Sequence, residues 1–299
     1  MVEYVEVVFF SKNTMDFEKS RLDRYIKRVY GKLIPQAMIE KSLRNKDILV
    51  NGKKAKSSDK IVNEDDVFVS SFATRIFANA YCKEKTESNL DYSKYLGQFK
   101  DMVIYEDSDL IIINKPSGLA VQLGSKTKIS VDVMAKAYNP EARLVHRIDK
   151  ETSGITMLSK NLETSRYMLH LFQNKQIHKK YYLVVSGKLP MVKGIINKPL
   201  SKINESVVVD LVNGKEAITE FKIIKNLTSN RTLIEAKPLT GRTHQIRVHM
   251  ASIDYPILGD KKYDGKINKY LHLHSHEVSF MTRYGKLLIK KAPLPEYFR

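Results

Sequence analysis

The alternation of apolar and polar positions divides the chain into parts with different secondary structure. In the first 71 residues, apolar positions at helical spacing predict one helix over Arg21–Tyr30 and a second that begins at Pro35. The apolar run Ile48–Val50 comes directly before Asn51-Gly52, a pair typical of a tight β-hairpin because both residues adopt positive φ. We therefore expect a small unit of two helices and a hairpin over residues 1–71.

Short apolar runs of strand length outnumber helical stretches from residue 101 to residue 299. The predicted strands are Val103–Tyr105, Leu110–Ile113, Lys180–Val185, Val207–Leu211, Ile218–Ile224, Thr232–Ala236 and Ile246–His249. Two helices are predicted near Ser130–Tyr138 and Leu162–Asn174. Because strands and helices do not alternate regularly, the pattern predicts an α+β fold with a largely antiparallel or mixed sheet flanked by helices.

Residues 72–100 are more polar and contain few sustained aliphatic runs. Such a composition is typical of a linker, and we expect a short helix near its tyrosines. The chain is therefore predicted to contain a small domain over residues 1–71, a linker over residues 72–100 and a larger domain over residues 101–299.

The charge of the chain is strongly positive. Lys and Arg number 51 against 33 Asp and Glu, which gives a formal charge of +18 over 299 residues. From Lys19 to Lys60 there are thirteen Lys or Arg and four Asp or Glu, so this short segment carries half of the excess. A basic face of this kind favours nucleic-acid phosphates as partners, the alternative being an ordinary solvated surface.

The cysteine content and the hydropathy exclude several classes of protein. Cys82 is the only cysteine, so the chain cannot form an internal disulfide, and it lacks the paired cysteines of many zinc sites and iron–sulfur clusters. The longest aliphatic run, Leu110–Ile113, is far too short to span a bilayer. We expect a cytoplasmic protein without membrane contact.

A dense group of polar residues over Leu144–Gly154 is the first candidate for chemistry. Asp149 lies there on a predicted loop that enters a strand, where catalytic groups are often found. The alternative is a capping Asp in an ordinary ion pair. The sequence lacks the glycine-rich loop and Asp-Phe-Gly of kinases, and it lacks the Gly-x-Ser-x-Gly elbow of serine hydrolases.

A second candidate group lies around Arg247. If Gln245–His249 is a strand, Gln245, Arg247 and His249 share one face. Arg247 could then pair with a buried carboxylate and keep it ionised, because an arginine retains its charge under nearly any burial.

Histidines leave a metal site open as an alternative. His272, His274 and His276 alternate, so a strand would place three imidazoles on one face, as a zinc site requires. Such histidines more commonly form ordinary hydrogen bonds, and we predict no metal.

Several motifs resemble those of the RluA-type pseudouridine synthases. The signature is His146-Arg147-Ile148-Asp149-x-x-Thr152-Ser153-Gly154. Further motifs in the expected order are Lys115-Pro116-Ser117-Gly118, Lys179-Lys180-Tyr181, Gly241–Met250, Pro256–Asp260, Leu273-His274 and Ala292–Pro295. The resemblance extends from Met102 to Phe298, and the motifs together are highly specific.

The resemblance implies an isomerase that converts uridine to pseudouridine in RNA after flipping the base out of its helix. Asp149 would be the essential carboxylate, acting as a nucleophile or as a base. Arg247 would pair with it, and Tyr181 would offer a ring for the uracil and a hydroxyl for proton transfer. Arg147 would fill the space left by the flipped base. The reaction needs no cofactor.

The first unit resembles the small S-four-type RNA-binding domain, on the strength of Arg21-Leu22-Asp23, the second helix and Val50-Asn51-Gly52. This layout is similar to RluC-like members, which implies large-subunit ribosomal RNA, free or in an assembling subunit, as the substrate. Nothing in the sequence demands more than a monomer, so we expect one. A transfer-RNA synthase and a non-catalytic assembly factor are the alternatives. The predicted RNA-binding residues are Arg147, Arg242, His244, Arg21, Arg24, Lys27, Arg28, Arg44, Lys53 and Lys54.

Overall fold

The computed structural model describes residues 4–6, 20–30, 34–62, 65–77, 93–123, 129–204, 206–228 and 230–298. The chain divides into two compact units, residues 1–91 and residues 92–299. Within the described ranges, no helix is both long enough and apolar enough to cross a membrane.

The first unit contains the two helices and the hairpin that the sequence predicts. Its elements are β1 (Tyr4–Glu6), β2 (Ser20–Arg21), α1 (Leu22–Tyr30), α2 (Gln36–Arg44), β3 (Ile48–Val50), β4 (Lys53–Lys54), β5 (Lys60–Ile61), β6 (Val67–Ser70) and α3 over residues 71–77. The turn residues Asn51 and Gly52 have φ of 49° and 70°, as the hairpin requires. Four strands form a sheet in the order β1-β6-β3-β4, and β2 pairs with β5.

The predicted linker is helical where it is described, which corrects the prediction at its N-terminal end, whereas the helix at its other end is the short one expected near the tyrosines and contains Tyr95. Residues 71–77 form α3, and Ala73 and Phe77 pack into the core of the first unit. At the other end, α4 covers Ser93–Met102, and its Phe99 is buried in the core of the second unit. Both helices carry few aliphatic residues, so each is stabilised by one or two aromatic anchors that periodicity does not reveal. Residues 78–92 lie outside the described ranges.

The second unit is built on one large mixed sheet. Its elements are α4 (Ser93–Met102), β7 (Val103–Glu106), β8 (Leu110–Lys115), α5 (Val131–Tyr138), β9 (Arg143–Leu144), β10 (Ser153–Ser159), α6 (Leu162–Gln173), β11 (His178–Ser186), β12 (Lys193–Asn197), β13 (Leu200–Ile203), β14 (Ser206–Val209), β15 (Ile218–Leu227), β16 (Arg231–Pro238), α7 (Gln245–Ala251), β17 (Leu273–Met281), β18 (Leu287–Lys291) and a 3-10 helix (Glu296–Phe298). The sheet runs β12-β15-β16-β11-β17-β10-β8-β7, with β18 on β17 and β9 on β10. Only β10 and β17 pair in parallel among these strands, which confirms the predicted α+β fold.

Strand β8 shows why its sequence is a continuous apolar run. Ile111 and Ile113 pack towards α4 and α5, whereas Leu110 and Ile112 pack towards α6. A strand that is covered by helices on both faces has no polar side, so alternation disappears.

The strand predicted over Ile246–His249 is wrong, because Gln245–Ala251 form helix α7. All side chains from Gln245 to Met250 are buried, so the alternation of polar and apolar residues does not mark a solvent face. The polar members have internal partners instead: Gln245 bonds Thr240 at 2.7 Å, and His249 Nδ1 lies 2.9 Å from the Thr219 hydroxyl. Gln245, Arg247 and His249 therefore do not share one face of a strand.

Replacing Gly154 by Ala is expected to destabilise the second unit strongly. Gly154 has φ of +105°, and a Cβ there would lie 2.2 Å from the carbonyl oxygen of Ser275 on the neighbouring strand. Strain and overlap together should cost at least about 2 kcal/mol. The control is Gly285→Ala, where φ is +72° but no atom lies within 4 Å of the added carbon. Urea unfolding of both variants measures the difference, and equal losses would contradict the close-approach argument.

Candidate active site

The loop that carries Asp149 is held from below by a buried lysine. Lys115 is fully buried, and its Nζ donates to the carbonyl oxygens of Pro116 (2.9 Å), Leu119 (2.8 Å) and Lys150 (3.0 Å). Burial lowers the pKa of Lys115 to about 7, although nearby acidic charges oppose this shift. The lysine therefore ties the end of β8 to the residue that follows Asp149.

Two further hydrogen bonds hold the same loop. The Ser117 hydroxyl donates to the carbonyl of Glu151 at 2.7 Å, and the Gly118 N–H donates to the carbonyl of Lys150 at 2.9 Å. The loop then enters β10 at Ser153, as the sequence predicts. The backbone around Asp149 is thus fixed before any ligand arrives, which is the requirement for a preorganised catalytic group.

Asp149 forms an ion pair with Arg247, as the sequence analysis expects. Nη1 of Arg247 donates to Oδ2 of Asp149 at 3.2 Å, although the two residues are 98 positions apart in the chain. The side chain of Asp149 remains 26% exposed, whereas that of Arg247 is only 8% exposed. The carboxylate is therefore open to a ligand on one side and supported by a guanidinium on the other.

Arg247 is held in turn by a second carboxylate that the sequence analysis did not identify as functional. Its Nε and Nη2 donate to the two oxygens of Asp260, each at 2.8 Å, in a bidentate pair. The side chain of Asp260 is fully buried. Burial opposes the charge of Arg247, but hydrogen bonds and charge from Asp260 and Asp149 raise the pKa of Arg247 overall. Arg247 is thus a permanent cation in a fixed orientation.

The turn that presents Asp260 is built on glycines. Gly259 has φ of +80°, and a Cβ there would lie 1.9 Å from the carbonyl oxygen of Tyr270. A Cβ at Gly265 would lie 2.0 Å from the carbonyl oxygen of Ile257. Oδ1 of Asp260 also accepts the backbone N–H of Lys262 at 3.0 Å. Asp260 ends the motif Pro256–Asp260, which carries part of the family resemblance, but only the folded chain shows that its carboxylate turns inward onto Arg247.

Tyr181 lies on β11, in the middle of the sheet, and lines the same cleft. Burial raises the pKa of Tyr181 to about 12; a hydrogen bond with Ser275 opposes this shift, and the charge of Asp149 adds to it. Its ring is 9% exposed. The phenol is therefore protonated throughout the neutral range and can donate a proton.

His244 and Tyr263 border the ion pair. His244 precedes α7 in a left-handed conformation, with φ of 53°. Its Nδ1 lies 2.7 Å from the hydroxyl of Tyr263, and its Nε2 lies 3.8 Å from Oδ2 of Asp149. Burial lowers the pKa of His244, and the neighbouring Asp149 opposes the shift. The Tyr263 ring also faces Arg247, whose guanidinium carbon is 5.1 Å from the ring centre.

All six site residues predicted for the second unit line one open cleft of about 640 Å³. These are Asp149, Tyr181, Arg247, Arg147, Arg242 and His244. Arg147 is exposed and donates to Gln122 at 3.4 Å, and Arg242 Nε donates to the carbonyl of Glu216 at 2.9 Å. Other lining residues include Ala120, Gln122, Leu123, His146, Phe172, Lys179, Thr240 and Leu273. A cleft of this size accepts a ligand as large as a nucleotide.

The other predicted RNA-binding residues belong to the first unit. Arg44 and Lys54 line a groove of about 470 Å³ with Lys56. Arg21 is bonded to Asp23 through Nε at 3.1 Å and Nη2 at 2.7 Å. Arg24, Arg28 and Lys53 are exposed, and Lys27 is half-buried.

The three alternating histidines, His272 just before β17 and His274 and His276 within it, have hydrogen-bond partners in the protein. His272 Nε2 lies 2.9 Å from the carbonyl of Tyr297, and His276 Nδ1 lies 2.8 Å from that of Ala292. His274 Nδ1 lies 2.9 Å from the Ser153 hydroxyl. Among the described residues, no group of three or more His, Cys, Asp or Glu is arranged to hold a metal ion.

The known proteins that this chain resembles are RNA pseudouridine synthases. The RNA pseudouridylate synthase family profile matches residues 109–252. "Ribosomal large subunit pseudouridine synthase C" of Rickettsia bellii is 38% identical over 291 residues, which cover 93% of this chain and 96% of the relative. The protein of the same name from Rickettsia prowazekii is 38% identical over 298 residues, which cover 93% of this chain and 95% of the relative.

A solved structure shows the same fold. The human "RNA Pseudouridylate Synthase Domain Containing 4" superimposes with a TM-score of 0.58 at 25% identity, covering 69% of this chain and 95% of its own. The matched family segment contains Asp149, Tyr181 and Arg247. These similarities confirm the resemblance found in the motifs, and the chain belongs to the RluA-type family of RNA pseudouridine synthases.

Proposed function

We propose that this protein isomerises uridines of large-subunit ribosomal RNA to pseudouridine. The observation that carries the proposal is the Asp149–Arg247 ion pair at 3.2 Å, open to a cleft that Tyr181 also lines. The names of the relatives, which span nearly the whole chain, support ribosomal RNA as the substrate. The positive charge of +18 suits a polyanion.

The chemistry breaks the bond between ribose C1′ and uracil N1 and forms a bond between C1′ and C5. The proton of C5 leaves and N1 gains one, so the product is an isomer, and neither a redox step nor a group donor is needed. A base stacked in a helix is out of reach, so the uridine must be flipped into the cleft. Asp149 then attacks the sugar or base, or removes a ribose proton, and each route requires the ionised carboxylate.

Arg247 orients this carboxylate and compensates its charge. Since Asp260 already binds Nε and Nη2, only Nη1 faces Asp149, and the carboxylate is left with oxygen lone pairs for the substrate. Tyr181 packs its ring against the flipped uracil. After C5 has bonded to C1′, the tyrosine hydroxyl gives its proton to N1 and the resulting phenolate takes the proton of C5, so the tyrosine ends protonated as it began. Arg147 at the mouth of the cleft takes the place of the base in the RNA stack.

Replacing Tyr181 by Phe is expected to separate these two roles of the tyrosine. The ring remains while the hydroxyl is lost, so single-turnover conversion should fall by about 10²- to 10⁴-fold with RNA affinity nearly unchanged. Tyr181→Leu should weaken binding as well, because stacking is lost. Conversion is followed by tritium release and affinity by filter binding. Full activity of Tyr181→Phe would exclude a proton-transfer role.

The first unit supplies phosphate contacts that do not depend on sequence. The groove beside Arg44 and Lys54 and the exposed Arg24, Arg28 and Lys53 provide the positive charge for this role, as in an S-four-type domain. The protein acts in the cytoplasm as a monomer, on free RNA or on an assembling subunit, without a cofactor.

The test is release of tritium from ribosomal RNA labelled at uridine C5. The hydrogen leaves C5 only when the base rejoins through that carbon, so release by the wild-type protein establishes the reaction. Transfer RNA labelled in the same way is the comparison. Release from transfer RNA alone would reject the ribosomal substrate, and tight binding without release from any RNA, including precursor particles, would support an assembly factor.

A further inference from the structure

Two nitrogen donors on the wall of the cleft have no role in the mechanism above. Lys179 lies on β11 two residues before Tyr181, so both side chains project from the same face of the sheet. His146 lies three residues before Asp149. Lys179 and His146 both line the cleft together with Phe172, whose ring centre is 5.3 Å from that of His146.

The hydrogen bonding of His146 defines which of its nitrogens is a donor. Nε2 accepts the backbone N–H of Met157 at 3.0 Å, so this nitrogen carries no proton. Burial, together with the charge of Lys179, lowers the pKa of His146 to about 3, and the ring is neutral. The proton of the neutral ring is therefore on Nδ1, for which no acceptor is present among the described residues.

Lys179 has no hydrogen-bond acceptor among the described residues, unlike Lys115 and Lys180 of the same sheet. Lys115 donates to three carbonyl oxygens, and Lys180 pairs with Glu277 at 2.6 Å. In the part of the chain that the structure describes, no acceptor contacts Lys179, and burial alone lowers its pKa. A partly desolvated ammonium without a partner has an unfavourable desolvation free energy, which an anionic ligand would offset.

We propose that Nζ of Lys179 and Nδ1 of His146 bind one phosphate group of the RNA backbone beside the flipped uridine. This inference rests on the proposed function, since it places the substrate in the same cleft. A phosphate is favoured over a uracil carbonyl because the ammonium requires a full negative charge.

The experiment uses an RNA oligonucleotide that the wild-type protein converts, with single uncharged methylphosphonate linkages placed in turn around the target uridine. For the wild type, one linkage should raise KM by about 10- to 100-fold, as expected for loss of a charged hydrogen bond. With the natural oligonucleotide, Lys179→Met should show a KM raised to a similar extent. Its KM should not rise further when that one linkage is uncharged, whereas it should respond to the other linkages as the wild type does. Lys179→Arg should restore part of the affinity.

Two further variants control for charge and for folding. Lys180→Met removes one positive charge from the same strand but on its opposite face, where Glu277 keeps Lys291 as a partner at 3.3 Å. It should remain sensitive at the same linkage. His146→Leu removes the Nδ1 donor without adding another N–H, so it should lose part of the sensitivity. The salt dependence of binding should decrease by about 0.7 in log–log slope for Lys179→Met.

The outcomes separate this inference from the proposed function. If the wild type converts no RNA, the proposed function fails. If it converts the oligonucleotide and Lys179→Met remains as sensitive as the wild type at every linkage, the phosphate site is wrong although the enzyme is active. Equal effects of Lys179→Met and Lys180→Met would show a general effect of positive charge and would also overturn the proposed phosphate site. Thermal unfolding of each variant identifies any that fails to fold.

Discussion

Asp149→Asn is expected to abolish conversion of uridine while the protein still binds RNA. An amide has almost the same shape as the carboxylate, but it is neither a nucleophile nor a base at neutral pH. We expect turnover to fall by at least about 10⁴-fold, as for the loss of a central catalytic group. The dissociation constant for RNA should change little, because phosphate contacts elsewhere dominate affinity. Arg247 keeps its bidentate bond to Asp260, so the fold should not change.

The measurement is tritium release under single-turnover conditions beside filter binding with the same RNA. Asp132→Asn is the matched control, because the side chain of Asp132 on α5 is 26% exposed, as is that of Asp149, and it pairs only with Lys136 among the described residues, at 3.0 Å. That variant should behave as the wild type. Conversion by Asp149→Asn at more than a few per cent of the wild-type rate would remove Asp149 from the chemistry.

Asp260→Asn is expected to cost both stability and activity. The side chain of Asp260 is fully buried and holds two nitrogens of Arg247 at 2.8 Å, so its neutralisation leaves a buried guanidinium with only the partly exposed Asp149. Breaking a buried pair in this way costs about 3–5 kcal/mol. Arg247 should then lose its orientation, and turnover should fall although Asp149 is intact.

A double variant distinguishes the electrostatic role of this pair from its packing role. Replacing both partners, as Arg247→Met with Asp260→Leu, removes the uncompensated charge and should recover much of the stability that Asp260→Asn loses. It should remain inactive, since Asp149 has lost its partner. Urea unfolding measures the stability, and tritium release the activity, of the wild type, Asp260→Asn and the double variant. A stable and active double variant would show that the ion pair does not support catalysis.

Much of the fold follows from patterns that are local in the chain. The hairpin at Asn51-Gly52 was predictable because its turn requires residues that tolerate positive φ. Helix α6 begins at Leu162 after Asn161, whose side chain accepts the N–H of Thr164 at 2.8 Å, a cap visible in the sequence. Asp149 was found for a similar reason: its motif is contiguous and lies before a strand.

Elements that long-range contacts stabilise were not predictable in the same way. Gln245–Ala251 alternates as a strand would, but it is a helix because its polar side chains find partners inside the protein rather than in water. Helix α3 at the start of the predicted linker depends on Phe77, which is buried in a core formed by distant residues.

The residues of the active site also differ in how far the sequence alone predicts them. Asp149, Tyr181 and Arg247 were recognisable from their motifs, each within a few consecutive residues. The folded chain alone reveals that Asp260 completes the site, because an inward-facing carboxylate depends on the approach of Gly259 to Tyr270 and on a guanidinium 13 positions earlier in the chain. Spacing along the chain carries information about neighbours within a turn or a strand, whereas pairing of buried charges is decided by three-dimensional distance and by exclusion of water.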